Sequence, residues 1–272
     1  MEAMASAPFF VSVHRHDSEV VALAFVSVID PTRTGNKVRS MRTFGATRMM
    51  MAATAMLGVA TMAPAAAETP RDILTQASFA DGTKAQALQH IAQAQRSAAT
   101  TLARSSGDHE ALVMLATAAA YKAKLDGNRT AAIAARKQFE GLVARFPNDP
   151  EPLLGLGAWH MGAVFKLGGL MGRAALGAQR SVGLKSLDRA VALGGDRALY
   201  AGLAALLRLE QDAGDARGLA LAETASRAGT PTAFDRIMRR SAAAVLDAAR
   251  TRDVATTKKL AARLLPFGRF DD

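Results

Sequence analysis

The chain has 272 residues, of which half are apolar, 5% are aromatic and none is cysteine. Without cysteine there are no disulfides and no thiolate metal sites. The net charge is +10, but the basic residues fall singly or in pairs, which reads as solvated helix faces rather than a nucleic-acid stripe.

Residues 1–40 hold a brief apolar run, Val20 to Ile29, and no amphipathic helix. They read either as a stretch upstream of a true start at Met41 or Met49, or as an unstructured leader. His14 and His16 fall here and receive no metal role.

Met41 to Ala67 has the three parts of a secretory signal peptide. Arg42 and Arg48 give a positive start, Met49 to Met62 is uncharged, and Ala65-Ala66-Ala67 is a small-residue cleavage site. The apolar part is about 14 residues, short of the roughly 20 that span a bilayer. No cysteine sits at the cleavage point, so a lipoprotein is excluded. The expectation is cleavage after Ala67 and a periplasmic or secreted product. In residues 68–272, 28 Lys and Arg against 20 Asp and Glu leave a charge of +8.

Alanine dominates the remaining sequence. It is the best helix former and adds little to a strand, so composition alone predicts an all-α domain over 68–272. Pro70 to Gln76 reads as a short opening helix. Thr83 to Ser105 carries Leu88, Ile91, Ala94, Ala98 and Leu102 on one face. Asp108 is a good N-cap for a helix to Leu125, with Leu112, Leu115, Ala116, Ala119 and Ala120 as its buried stripe. Asp126-Gly127-Asn128 is a turn. Thr130 to Phe146 follows, with Ala135, Phe139 and Leu142 inward, and Pro147 ends it.

Asp149 caps the next helix, and Pro150 takes its first position. That helix runs to about Leu167, and Gly168-Gly169 breaks it. Met171 to Leu193 reads as one helical run ended by Gly194-Gly195. Arg197 to Asp212 and Asp215 to Arg227 form a pair turned at Ala213-Gly214. Ala233 to Arg250 and Asp253 to Leu265 form the last pair, turned at Thr251-Arg252-Asp253, and Pro266 to Asp272 reads as a frayed tail. No stretch alternates like a strand. The expected fold is therefore a set of stacked antiparallel helical hairpins, each covering its neighbour's apolar face.

The corner Phe146-Pro147-Asn148-Asp149-Pro150 resembles the junction between two tetratricopeptide repeats. Leu156-Gly157 falls at that family's Leu-Gly positions, and His160 stands where tyrosine is usual. Ala135, Phe139 and Pro147 fit the preceding second helix. Gly183, Leu187 and Ala190 fit the same roles one repeat later. An insertion of about 14 residues around Gly168–Gly172 interrupts the clearest repeat, and Leu153 occupies the tryptophan position. The resemblance covers residues 108–228. It implies a right-handed solenoid whose concave face binds a peptide or partner protein, with no catalytic residues.

Catalytic motifs are missing: there is no GxSxG, HExxH or phosphate loop. His90, His109 and His160 are distant in sequence and lack a ligand partner at helical spacing, so no metal or other cofactor is expected. Trp159 and His160 combine apolar area with a polar handle and are candidate contacts, against the plainer reading of repeat packing. Arg173 and Arg180, seven apart on one run, and nearby Lys185 are candidates for an acidic peptide or a lipid headgroup. The sequence thus points to an exported, non-enzymatic protein that binds a protein or peptide. The alternative is a small-ligand-binding or transport accessory protein with a pocket near Gly168–Gly172.

Overall fold

The computed structural model describes residues 68–251 and 253–270. The expectations for residues 1–40 and for the signal segment 41–67 therefore lie outside the described residues. Among the described residues there are eleven α-helices and one short 3-10 turn. The fold class is all-α. An isolated bridge between Arg197 and Gly229 is the sole β-type pairing among them.

Local chemistry sets the helix starts. Thr69 and Asp72 form a capping box before α1 (Pro70–Phe79), and Thr83 and Gln86 do so before α2 (Lys84–Arg104). Asp108 caps α3 (His109–Asp126) by accepting from the Ala111 N–H at 2.8 Å. Asn128 caps α4 (Arg129–Arg145), and Asp149 caps α5 (Pro150–Leu167) with proline in the first turn. Each cap satisfies an N–H that the helix itself leaves unpaired. Gly127 closes α3 in the left-handed region at φ 66°, which glycine adopts without steric cost.

Two expectations are corrected here. The run Met171 to Leu193 is not one helix. It divides into α6 (Gly169–Leu176) and α7 (Arg180–Leu193), because Gly177 turns left-handed at φ 72° and the Arg136 side chain fills the space beside it. Arg173 and Arg180 therefore stand on different helices. The tail is not frayed up to Phe270. Phe267 is fully buried, its N–H donates to Ser78 O at 3.1 Å, and Lys124 donates to Pro266 O at 2.9 Å. Arg269 donates to the carbonyls of Ala77, Ser78 and Asp81 around the end of α1.

The buried stripe of α3 also differs. Ala111, Val113, Met114, Ala116, Ala118, Ala123 and Leu125 are buried, whereas Leu112 and Leu115 are only partly so. Helix α3 packs against α1, α2, α4 and α5, so more than one face is covered.

Helices α1 to α4 each pack on the next in sequence, and α4 packs on α5. One apolar core runs through α1–α5 with Ile91, Val113, Phe139 and Phe267. A second is built around α8 (Ala198–Gln211), where Ala198 through Glu210 are all buried. A helix apolar on every side must be surrounded. Here α5, α7, α9 (Ala216–Arg227), α10 (Ala233–Arg250) and α11 (Val254–Leu264) surround it. Arg208 sits within this shell, and its charge is met by Asp188 at 2.8 Å and Asp215 at 3.4 Å.

Small residues set the crossings. Gly155 faces the Phe139 ring so closely that any Cβ would overlap it. A Cβ on Gly157 would lie 2.8 Å from Leu187, and one on Gly183 would lie 3.1 Å from His160 Cβ, so α5 and α7 meet at near-backbone contact. No helix among the described residues is long and apolar enough to cross a membrane.

Candidate functional site

The predicted residues divide between a buried support and an exposed face. Trp159 is partly buried, its indole N–H donates to Ala132 O at 2.9 Å, and the Arg136 guanidinium lies 5.6 Å over its ring. His160 is 2% exposed, and its Nδ1 accepts the Gln179 N–H at 3.1 Å. Burial first, and the nearby Arg136 charge second, push the imidazole down to about 4. His160 is thus neutral at neutral pH and holds the α6–α7 joint against α5. Both side chains spend their polar atoms inside the protein. His160 holds the insertion, and the partly buried Trp159 fastens α5 to α4.

Arg136 also donates to Gly177 O at 3.3 Å, and Arg129 donates to Ala175 O at 2.8 Å. These two arginines of α4 clamp the last turn of α6. Ala178 is buried, and its N–H donates to Gly172 O at 3.1 Å. Helix α6 lies directly on α5, since a Cβ on Gly172 would stand 3.3 Å from Ala163 O.

Above this support, every residue from Phe165 to Met171 is exposed. Phe165, Leu167, Leu170 and Met171 are large apolar side chains, and Leu170 reaches 82% exposure. Arg173, Arg180 and Lys185 are exposed as well, and none of their side chains forms a hydrogen bond or ion pair among the described residues. From Pro152 to Leu187 the sequence contains no Asp or Glu, while it contains Lys166, Arg173, Arg180 and Lys185. Exposed apolar side chains grouped within a cationic, acid-free segment mark an interaction surface.

The sequence reading missed Phe165, Leu167, Leu170 and Met171 as surface residues. An available signal was the short, glycine-bounded segment. Eight residues of helix between Gly168 and Gly177 cannot bury two apolar faces. The acid-free run was a second signal.

A second polar group lies elsewhere. Arg71 on α1 donates to Glu110 Oε2 at 2.5 Å and to Glu151 Oε2 at 2.7 Å. Arg197 donates to Asp235 Oδ2 at 2.9 Å, and the Leu199 N–H donates to Asp235 Oδ1 at 3.0 Å. Burial alone would raise the Asp235 carboxyl, but Arg197, Thr232 and the Leu199 N–H hold it below the usual carboxylate range. His109 pairs with Asp149 nearby in sequence terms to Glu151. Arg71, Glu110, Glu151, Arg197 and Asp235 tie α1, α3, α5, α8 and α10 together. Among the described residues no three His, Asp or Glu side chains gather as metal ligands would.

In comparisons with known proteins, no family model, curated protein or solved structure matches the chain.

Proposed function

We propose that this chain is an exported, non-enzymatic binding protein that docks an anionic component of the cell envelope on the face formed by the end of α5, α6 and the start of α7. One observation carries the reading: four large apolar side chains stand exposed in a segment with four cations and no acid. Folded monomers ordinarily cover such groups unless a partner does. The site's only buried histidine is neutral and committed to a backbone N–H, which suits a support better than a catalyst.

The envelope address rests on the three-part pattern of Met41–Ala67. The helical-repeat reading is supported by the α5–α7 crossing at Gly157 and Gly183, two positions of the tetratricopeptide resemblance. The small-ligand alternative is less favoured, because α6 stands against α5 at Gly172 with no room for a ligand there.

Binding of the purified protein to immobilised polyglutamate and to vesicles containing phosphatidylglycerol tests the reading. The wild type should bind at least one of these anionic surfaces, and salt should release it. The triple variant Arg173→Glu/Arg180→Glu/Lys185→Glu, folded by circular dichroism, should bind neither. Equal binding by that variant, or no binding by the wild type, would overturn the proposal. N-terminal sequencing of the mature protein should begin at Glu68.

A further inference from the structure

We infer that the anionic component is the surface of a lipid bilayer, with the Phe165–Met171 turn seated among its headgroups. This rests on the docking face proposed above and names its occupant.

Shape favours lipid over a folded or extended acidic polypeptide. A peptide site needs walls. At the turn there are none: a Cβ at Gly168 or at Gly169 would meet nothing within 4 Å. All seven residues of the turn are exposed, and among its large apolar side chains exposure is highest at Leu170 and Met171, at 82% and 60%. An apolar turn with open space around it suits a soft, deformable partner, which wraps it without a preformed pocket.

Chemistry agrees. Leu167, Leu170 and Met171 offer aliphatic surface to acyl chains, and Phe165 offers an aromatic ring. Arg173 lies on α6 itself. Arg180 opens α7 two residues after Ala178, whose N–H is bonded to Gly172 O. Both cations flank the turn. With no carboxylate from Pro152 to Leu187, nothing on the segment repels an anionic headgroup. Basic residues beside exposed apolar ones form a two-part lipid anchor, in which charge attracts and the apolar tip retains.

The mount is rigid. Arg129, Arg136 and His160 hold Ala175, Gly177 and Gln179 by their backbones. The far end of α6 is therefore fixed before binding, and little of its conformational entropy is lost on insertion.

Vesicle flotation of the purified mature protein, starting at Glu68, with phosphatidylcholine alone and with phosphatidylcholine plus phosphatidylglycerol, reads the inference. The protein should float with the mixed vesicles and stay behind with phosphatidylcholine alone. Leu170→Ser/Met171→Ser should weaken partitioning by roughly tenfold or more. Arg173→Gln should weaken it about fivefold. All three positions are exposed, so folding should be unaffected. A Leu170→Trp variant should gain a blue-shifted emission on the mixed vesicles that brominated acyl chains quench.

Three outcomes would overturn the lipid assignment. One is equal retention on polyglutamate, with no effect of Leu170→Ser/Met171→Ser. This would leave an acidic polypeptide as the occupant and the docking face intact. Another is a dimer in solution that Leu170→Ser/Met171→Ser dissociates, which would make a second copy the occupant. The last is failure to bind either anionic surface, which would remove both the lipid assignment and the docking function.

Discussion

The backbone N–H of Gln179 donates to Nδ1 of His160 at 3.1 Å, and this bond fixes where α7 begins relative to α5. It requires an unprotonated Nδ1, and burial keeps the ring neutral down to about pH 4. Above the ordinary imidazole value of 6.5 both folded and unfolded chains carry a neutral His160, and its contribution is complete. Between 6.5 and about 4 the unfolded chain takes up a proton that the folded one refuses. Stability should therefore fall as pH falls through this window, by up to about 3 kcal/mol from this group. Urea unfolding at pH 7 and pH 4.5 should show a larger loss for the wild type than for His160→Gln, which keeps an acceptor but does not titrate.

Asp235 is fully buried and holds Arg197, Thr232 and the Leu199 N–H together. Removing it takes from the half-buried Arg197 its closest carboxylate and leaves α10 with only the Thr232 half of its capping box. Asp235→Ala should cost roughly 3–5 kcal/mol by chemical denaturation. Asp235→Asn should cost less, because its amide oxygen can still accept from Leu199.

Gly155 and Phe139 occupy the same crossing of α4 and α5. Gly155→Ala places a methyl against the ring and should destabilise by about 1–3 kcal/mol. Phe139→Leu should also destabilise alone. Together the two should lose less than the sum of their single effects, and a double-mutant cycle of unfolding free energies measures the difference.

Arg269 donates to three carbonyls around the end of α1, beside the left-handed Phe267 at φ 63°. Arg269→Met keeps the stem and removes every donor. Hydrogen exchange should then accelerate in α1 and in the Tyr121 turn of α3, whose ring meets Phe267 edge-on at 4.9 Å. The α8 core should keep its protection.

Much of the fold was legible because its punctuation is local. Asp108 and Asp149 cap the helices that their sequence signals assign to them, and α1 and α2 start within a residue of the expected Pro70 and Thr83. Gly177 was not legible. It is one glycine among several in its segment, and only the packing of Arg136 and the bond to His160 select it as the break. The ordered tail was hidden for a related reason. Pro266 to Phe270 has no periodicity of its own, and its order comes from α1, almost the whole domain away in sequence. At the candidate site, the cations Arg173, Arg180 and Lys185 were visible as charge. The exposed Leu170 and Met171 were not, since a helical apolar pattern looks alike whether a neighbour covers it or not. Trp159 and His160 stood out as candidate contacts with a polar handle, and the structure uses the indole N–H and the imidazole Nδ1 as fasteners.

Arg269 reaches back 192 residues to Ala77. Helix α1 therefore leaves the ribosome long before the residues that seal it. A nascent or partly threaded chain can pair its middle helices early, yet it keeps a bare hydrophobic seam on α1 until Phe267 and Arg269 have emerged. Closure of that seam joins the most sequence-distant parts of the domain and should be the slow phase of refolding.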